Sequence, residues 1–224
     1  MHLTSLSIPV HDLKFADYFQ AVLGLRVETP WDTAQIHLGT TTLELQVDPS
    51  TDEGTHHLAF TIPTGKFAAA KNWLAERAEL IVNADGQDEF EGPAAWNSRS
   101  VYFEGPERSV LELIERRDLS NATDGAFSPA DLLCISEVGV AVPDVLSAAQ
   151  ALKKVAGIDS YGNAPSATFG AVGDVHGLLI LVSDGRSWFP TTDRHAHPCA
   201  IRVNATGHPG LHQLGESVLE LHSK

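Results

Sequence analysis

Three stretches, Ser5-Leu-Ser-Ile-Pro-Val-His-Asp12, His57-Leu-Ala-Phe-Thr-Ile-Pro-Thr64 and Glu137-Val-Gly-Val-Ala-Val-Pro-Asp144, carry one pattern. Each alternates with the period of two that a half-buried strand requires. Leu6, Ile8 and Val10 share a face, as do Leu58, Phe60 and Ile62, and Val138, Val140 and Val142. The opposite face holds Ser5 and Ser7, then His57, Ala59 and Thr61, then Glu137, Gly139 and Ala141. One face is apolar in every copy and the other is small or polar. Each stretch ends on a residue able to accept hydrogen bonds from the free amides of a helix start: Asp12, Thr64 and Asp144.

Working outward, helical stripes follow each stretch: Phe15, Phe19 and Val22; Phe67, Ala70, Leu74 and Ala78; Val145, Ala148, Leu152 and Val155. Gly24 and Gly157 stand where a left-handed residue would end the first and third helices. Short strand patterns come next, at 25–28, 34–38 and 41–47, at 80–83, 99–103 and 109–115, and at 158–161, 168–172 and 178–182. The repeating unit is therefore β-α-β-β-β, met three times, an α+β fold class. Segment 86–96 reads as a loop, the Gly-rich run Gly170 to Gly177 as a turn, and 199–204 and 217–222 as two strands of a truncated fourth unit. The domain reading is 1–117 as two paired units, 118–130 as a polar linker, and 131–224 as the third unit with the truncated fourth.

Composition narrows the function. The 224 residues include 15 Lys and Arg against 29 Asp and Glu, a formal net charge of −14, which excludes a phosphate-tracking nucleic-acid surface. No apolar run approaches the ~18 residues of a membrane span, and the N-terminus already reads as a strand rather than a signal peptide, so a cytoplasmic, membrane-free protein is expected. The two cysteines, Cys134 and Cys199, build neither a disulfide framework nor a cysteine zinc site. P-loop, dinucleotide and nucleophile-elbow motifs are missing from the sequence.

Two strands place a carboxylate on the polar face: Glu44 lies between Leu43 and Leu45, and Glu112 between Leu111 and Leu113. A buried carboxylate without a partner is costly, and a metal ion would offset that cost. These features resemble the vicinal-oxygen-chelate superfamily of glyoxalases, bleomycin-resistance proteins and extradiol dioxygenases. The residues that carry the resemblance are Val10 and Asp12 followed by Tyr18-Phe19 and Leu23-Gly24-Leu25, then His56-His57-Leu58-Ala59-Phe60, then Tyr102-Phe103-Glu104-Gly105-Pro106 and Val110-Leu111-Glu112-Leu113.

The resemblance implies paired units curled around one divalent metal, held by the first and last strands of both units. Carried over, the slots are Ser5, Glu44, His57 and Glu112, with Ser5 a poor ligand that would act through water. One histidine and two carboxylates suit Fe, Mn, Ni or Zn alike. Glu112 would be the base of a lyase or isomerase that binds a small substrate through vicinal oxygens. The alternatives are a metal-free drug or metabolite binder and a ring-cleaving dioxygenase. Glu44 favours the first reading, and Ser5 counts against the dioxygenase. His56 faces the helix side, and His2 and His11 have the wrong parity to replace Ser5. A second site from Glu137 and Glu220 would lack nitrogen ligands, with Pro198 in its remaining slot. The directions of His195 and His197 cannot be read, and the trio Trp188-Phe189-Pro190 reads as a loop anchor or a ligand-facing cluster. Fused units could complete the site within one chain or by exchange in a homodimer.

Overall fold

The computed structural model describes residues 1–31 and 33–223. The elements run β1 (Leu3–Val10), α1 (Lys14–Ala21), β2 (Arg26–Glu28), β3 (Thr33–Leu38), β4 (Thr41–Val47), β5 (His57–Ile62), α2 (Phe67–Ala75), β6 (Phe90–Glu91), β7 (Ser98–Glu104) and β8 (Val110–Arg116). They continue with β9 (Cys134–Val142), α3 (Val145–Ala151), β10 (Phe169–Asp174), β11 (Gly177–Ser183), β12 (Arg202–Thr206), β13 (Gly210–Leu214) and β14 (Ser217–His222). The βαβββ units are present, and their helix-facing residues form one core that includes Leu6, Ile8, Leu58, Phe60, Val138 and Val140.

Local signals mostly translate as expected. Asp144 accepts a hydrogen bond from Ser147 N at 2.9 Å and caps α3, whose last turn widens into a π turn that Gly157 ends at φ +68°. Asp12 and Thr64 differ: α1 starts behind Leu13, with Asp12 Oδ1 accepting from Lys14 N at 2.7 Å, and α2 begins later, behind Lys66, the Thr64 hydroxyl instead donating to Leu119 O at 2.9 Å. Segments 80–83 and 158–161 contribute only the isolated bridges Leu80 to Phe103 and Ser160 to Val172. Most of the Gly170 to Gly177 run is strand β10 rather than turn, and the fourth unit has three strands rather than two.

The units pair differently from the expected one-with-two arrangement. One sheet runs β13-β14-β12-β1-β4-β3-β2 and the other β10-β11-β9-β5-β8-β7-β6, so unit one joins unit four and unit two joins unit three. Both sheets therefore cross the 118–130 segment. In each, first strands meet antiparallel, Leu6 opposite Val203 and Leu58 opposite Val138. The physical reason is that all first strands carry the same alternation, so their ladders are interchangeable by pattern and the choice of partner is made by tertiary packing.

The two sheets also differ in cover. On β1 and β4 burial alternates, leaving Ser5, Ser7, Thr42 and Glu44 half-exposed, whereas β5 and β8 are buried along their whole length. Where the sheets meet, Gly39 adopts φ +53°, and an added Cβ would strike the Leu133 carbonyl. Thr41 Oγ1 donates to Leu3 O at 2.8 Å and accepts from Ile135 N at 3.2 Å.

His56 is buried in the same joint, and its Nε2–H donates to Pro9 O at 2.6 Å. Burial lowers its pKa from 6.5 to about 4, so the folded state favours the neutral ring. The resulting stability is fully present above pH ~6.5 and is lost as pH falls toward ~4. At pH ~5 the loss is on the order of 2 kcal/mol. Urea denaturation of wild type and His56→Gln across pH 5 to 7 should show the variant lacking this share of the acid sensitivity; equal slopes would contradict it.

Candidate metal centre

The covered face of the second sheet forms a cavity of about 820 Å³. His57 enters it from the start of β5, Glu112 from β8 and Glu137 from β9. Strand pairing brings the three together: Ala59 lies opposite Glu112 on one side and opposite Glu137 on the other, with His57 two residues back on the same face. Each offers one donor atom, and these atoms all lie within 4.8 Å of one another.

The chemistry of the donors fits a divalent ion. His57 Nδ1–H donates to Val110 O at 3.1 Å, which turns Nε2 toward Glu112 Oε2 at 3.6 Å. Burial lowers the His57 pKa to about 4, helped by the charge of Arg186, so the ring is neutral and Nε2 carries a lone pair. Glu112 is buried, and desolvation, reinforced by the nearby Glu137 charge, pushes its carboxyl up to about 8 despite bonds from Ser100 and Tyr102. Glu137 is raised too, again by burial, against the pull of the Arg116 guanidinium, which donates to it. Two carboxyls that resist ionisation beside a neutral imidazole are what a cation would relieve.

Arg116 is the fourth ionisable group of the cluster. It is 0% exposed, and among the described residues its ion pair is with Glu137 while Nε and Nη1 have no hydrogen-bond partner. In metal-free protein an Arg116–Glu137 pair and a protonated Glu112 make the cluster nearly neutral.

Of the sequence candidates, the structure brings His57 and Glu112 to one place and leaves Ser5 and Glu44 in the other sheet. Ser5 Oγ accepts from Asn204 Nδ2 at 2.9 Å, and Glu44 is half-exposed, flanked by Gln35 and Gln46 amides at 3.4 and 3.3 Å. Glu44 therefore bears no burial cost for a metal to offset. Glu220 also lies in that first sheet, beside Arg202 rather than Pro198, at 3.8 Å.

The donor that strand parity does not bring to this site is Glu137. Its first-strand position and its polar-face parity are visible in the sequence; the pairing of units two and three is not. By the same register, the position matching Glu112 in unit three is Ile180, opposite Gly139. Trp188 packs over Gly139, where an added Cβ would meet the indole Cζ2 at 2.8 Å, and its Nε1 donates to Thr55 O. The fourth position is therefore apolar. Trp188 serves both as loop anchor and as cavity wall, 5.3 Å from His57 between ring centres. His195 and His197 sit elsewhere in that loop, bonded to Gly185 O and Asp184.

No family model and no curated protein matches this chain. Solved structures do. The "putative dioxygenase" of Bacillus subtilis subsp. subtilis str. 168 superposes with a TM-score of 0.63 at 15% identity, over 99% of this chain and 84% of that one. Glyoxalase I from Zea mays gives 0.52 at 14% identity, over 91% and 74%. Among the described residues no helix is long and apolar enough to cross a membrane. At these identities the likeness concerns architecture, and by it the chain has the fold of the vicinal-oxygen-chelate superfamily.

Proposed function

We propose that the chain is a divalent-metal-dependent enzyme of the glyoxalase and dioxygenase type, acting on a small substrate with vicinal oxygens. The observation that carries this reading is the buried His57–Glu112–Glu137 cluster at the base of a cavity of about 820 Å³. A bound ion would polarise the substrate oxygens. His57, Glu112 and Glu137 would hold it. Glu112, buried beside the ion and bonded to Ser100 and Tyr102, is placed to take and return a proton, which supports the lyase or isomerase reading.

A second reading, ring-cleaving dioxygenase chemistry, gains from the apolar fourth position: three donors on one side leave the remaining positions open to a substrate and oxygen. Glu44 no longer argues for the lyase, because it lies in the other sheet.

The test is a titration of chelator-stripped protein with Fe(II), Mn, Ni and Zn, followed by elemental analysis. Near-stoichiometric metal, lost in Glu112→Ala and Glu137→Ala but kept in Glu44→Ala, is the expected result. Hemithioacetal isomerisation against oxygen uptake with catechol then separates the two chemistries. A wild type that retains no metal would sink both and leave the cavity as a binding site without chemistry.

A further inference from the structure

Arg186 lies in the cavity wall, and its side chain is held without a carboxylate. Its Nη1 donates to Ser187 O at 3.3 Å, and its Cζ stands 4.9 Å from the Phe169 ring centre. Among the described lysines and arginines, only Lys154, which is exposed, and Arg186 make no ion pair. In a chain with 29 acidic residues that is a selective omission. Burial lowers the Arg186 pKa with no acid opposing it. The other acids that line the cavity are already engaged, Glu89 by Lys71 and Arg99, and Glu91 by Arg117.

Charge accounting gives the consequence. With an ion bound, its two charges balance Glu112 and Glu137, which leaves the positive charges of Arg116, buried beside Glu137, and of Arg186 in the cavity wall. A ligand that chelates through oxyanions answers one of them; a second anionic group answers the other. The space between is walled by Phe90, Tyr102, Phe169, Trp188 and Phe189, with Phe90 and Phe189 4.9 Å apart and Tyr102 5.5 Å from each. Such walls suit a flat apolar body.

We infer that Arg186 is a specificity-determining residue, selecting substrates that carry a carboxylate on a flat, aromatic body at a distance from the chelating oxygens. The inference deepens the proposed function and rests on it for the identity of the chelating end. Arg is the side chain suited to this task, because its planar fork matches a carboxylate and stacks on an aromatic face.

The test measures binding by quenching of Trp188 and Trp96 fluorescence, so turnover is not needed. In metal-free protein, benzoate is compared with benzamide, which has the same shape and no charge. A charged hydrogen bond to a fixed guanidinium predicts a preference of about tenfold or more for benzoate. Arg186→Gln should erase the preference, and Arg186→Lys should keep part of it. Equal binding of the two probes, no binding of either, or a preference that survives in Arg186→Gln would overturn the inference. In Zn-loaded protein, 3,4-dihydroxybenzoate is then compared with benzoate. Failure of Zn to tighten the dihydroxy probe would count against the metal reading alone, since the metal-free comparison judges Arg186 by itself.

Discussion

Glu112→Gln should make the metal-free protein more stable at pH ~8 while removing its ability to hold an ion. In the fold the Glu112 carboxyl is raised from 4.5 to about 8. A carboxyl raised by folding contributes stability that is fully present below its unfolded pKa and is lost as pH climbs through the folded one. Wild type therefore loses on the order of a few kcal/mol between pH ~4.5 and ~8 at this one site. Glutamine cannot ionise, and its oxygen still accepts from Ser100 and Tyr102 while its amide faces the His57 Nε2 lone pair. The two proteins should converge near pH ~4.5 and separate above pH ~6, which denaturation at several pH values would reveal. Metal affinity should fall by more than the roughly 10–100-fold that loss of an outlying partner costs. Metal binding to wild type near neutrality should release protons, and Glu112→Gln should release fewer. A variant less stable than wild type at pH ~8 would mean that Glu112 is already ionised in the empty site.

The second large effect is expected at Arg116. It is the buried counter-charge of Glu137, so Arg116→Met leaves a carboxylate without a cation in a dry site. Breaking such a pair typically costs about 3–5 kcal/mol, whereas replacing both partners is often close to neutral. Thermal unfolding of metal-free Arg116→Met should drop by on the order of 10 °C for a chain of this size. Arg116→Met with Glu137→Gln should recover most of that. Saturating Zn should narrow the gap for the single variant, because the ion supplies the missing charge to Glu137. A single variant within about 1 kcal/mol of wild type would show that Glu137 is held neutral without Arg116.

These two residues also mark what the sequence shows and what it conceals. The alternation in 5–12, 57–64 and 137–144 is a local property of strands, and it survives in β1, β5 and β9 as far as Val10, Ile62 and Val142. Parity is local as well, which is why Glu112 and His57 share a face as expected. Pairing is not local. Ser5, His57 and Glu137 occupy equivalent places in three near-identical ladders, and alternation is blind to which two ladders adjoin. Glu44 and Glu112 likewise look alike between flanking leucines, yet one half-faces solvent and the other is 3% exposed. The difference is made by remote segments: the loop carrying Trp188 covers the second sheet, whereas Glu44 stays half-exposed. Arg116 was a usable clue, since it shares the Glu112 face four residues along and a buried arginine there needs an acid on the same face of the sheet, which Glu137 supplies from two strands away.

The nested pairing of units also sets an order of assembly. The second sheet is one unbroken stretch of chain, from β5 to β11, so its strands can find one another as soon as they are made. The first sheet closes only across that stretch, when β12 reaches β1 and Ser5 meets Asn204. The entropic cost of closing so large a loop grows only slowly with length, but the closure is delayed. Until then β1 presents an open edge of backbone donors and acceptors, a template for another copy of the chain. The candidate metal centre is thus built from the part that can fold early, and the hazard of mispairing falls on the sheet that holds none of its three donors.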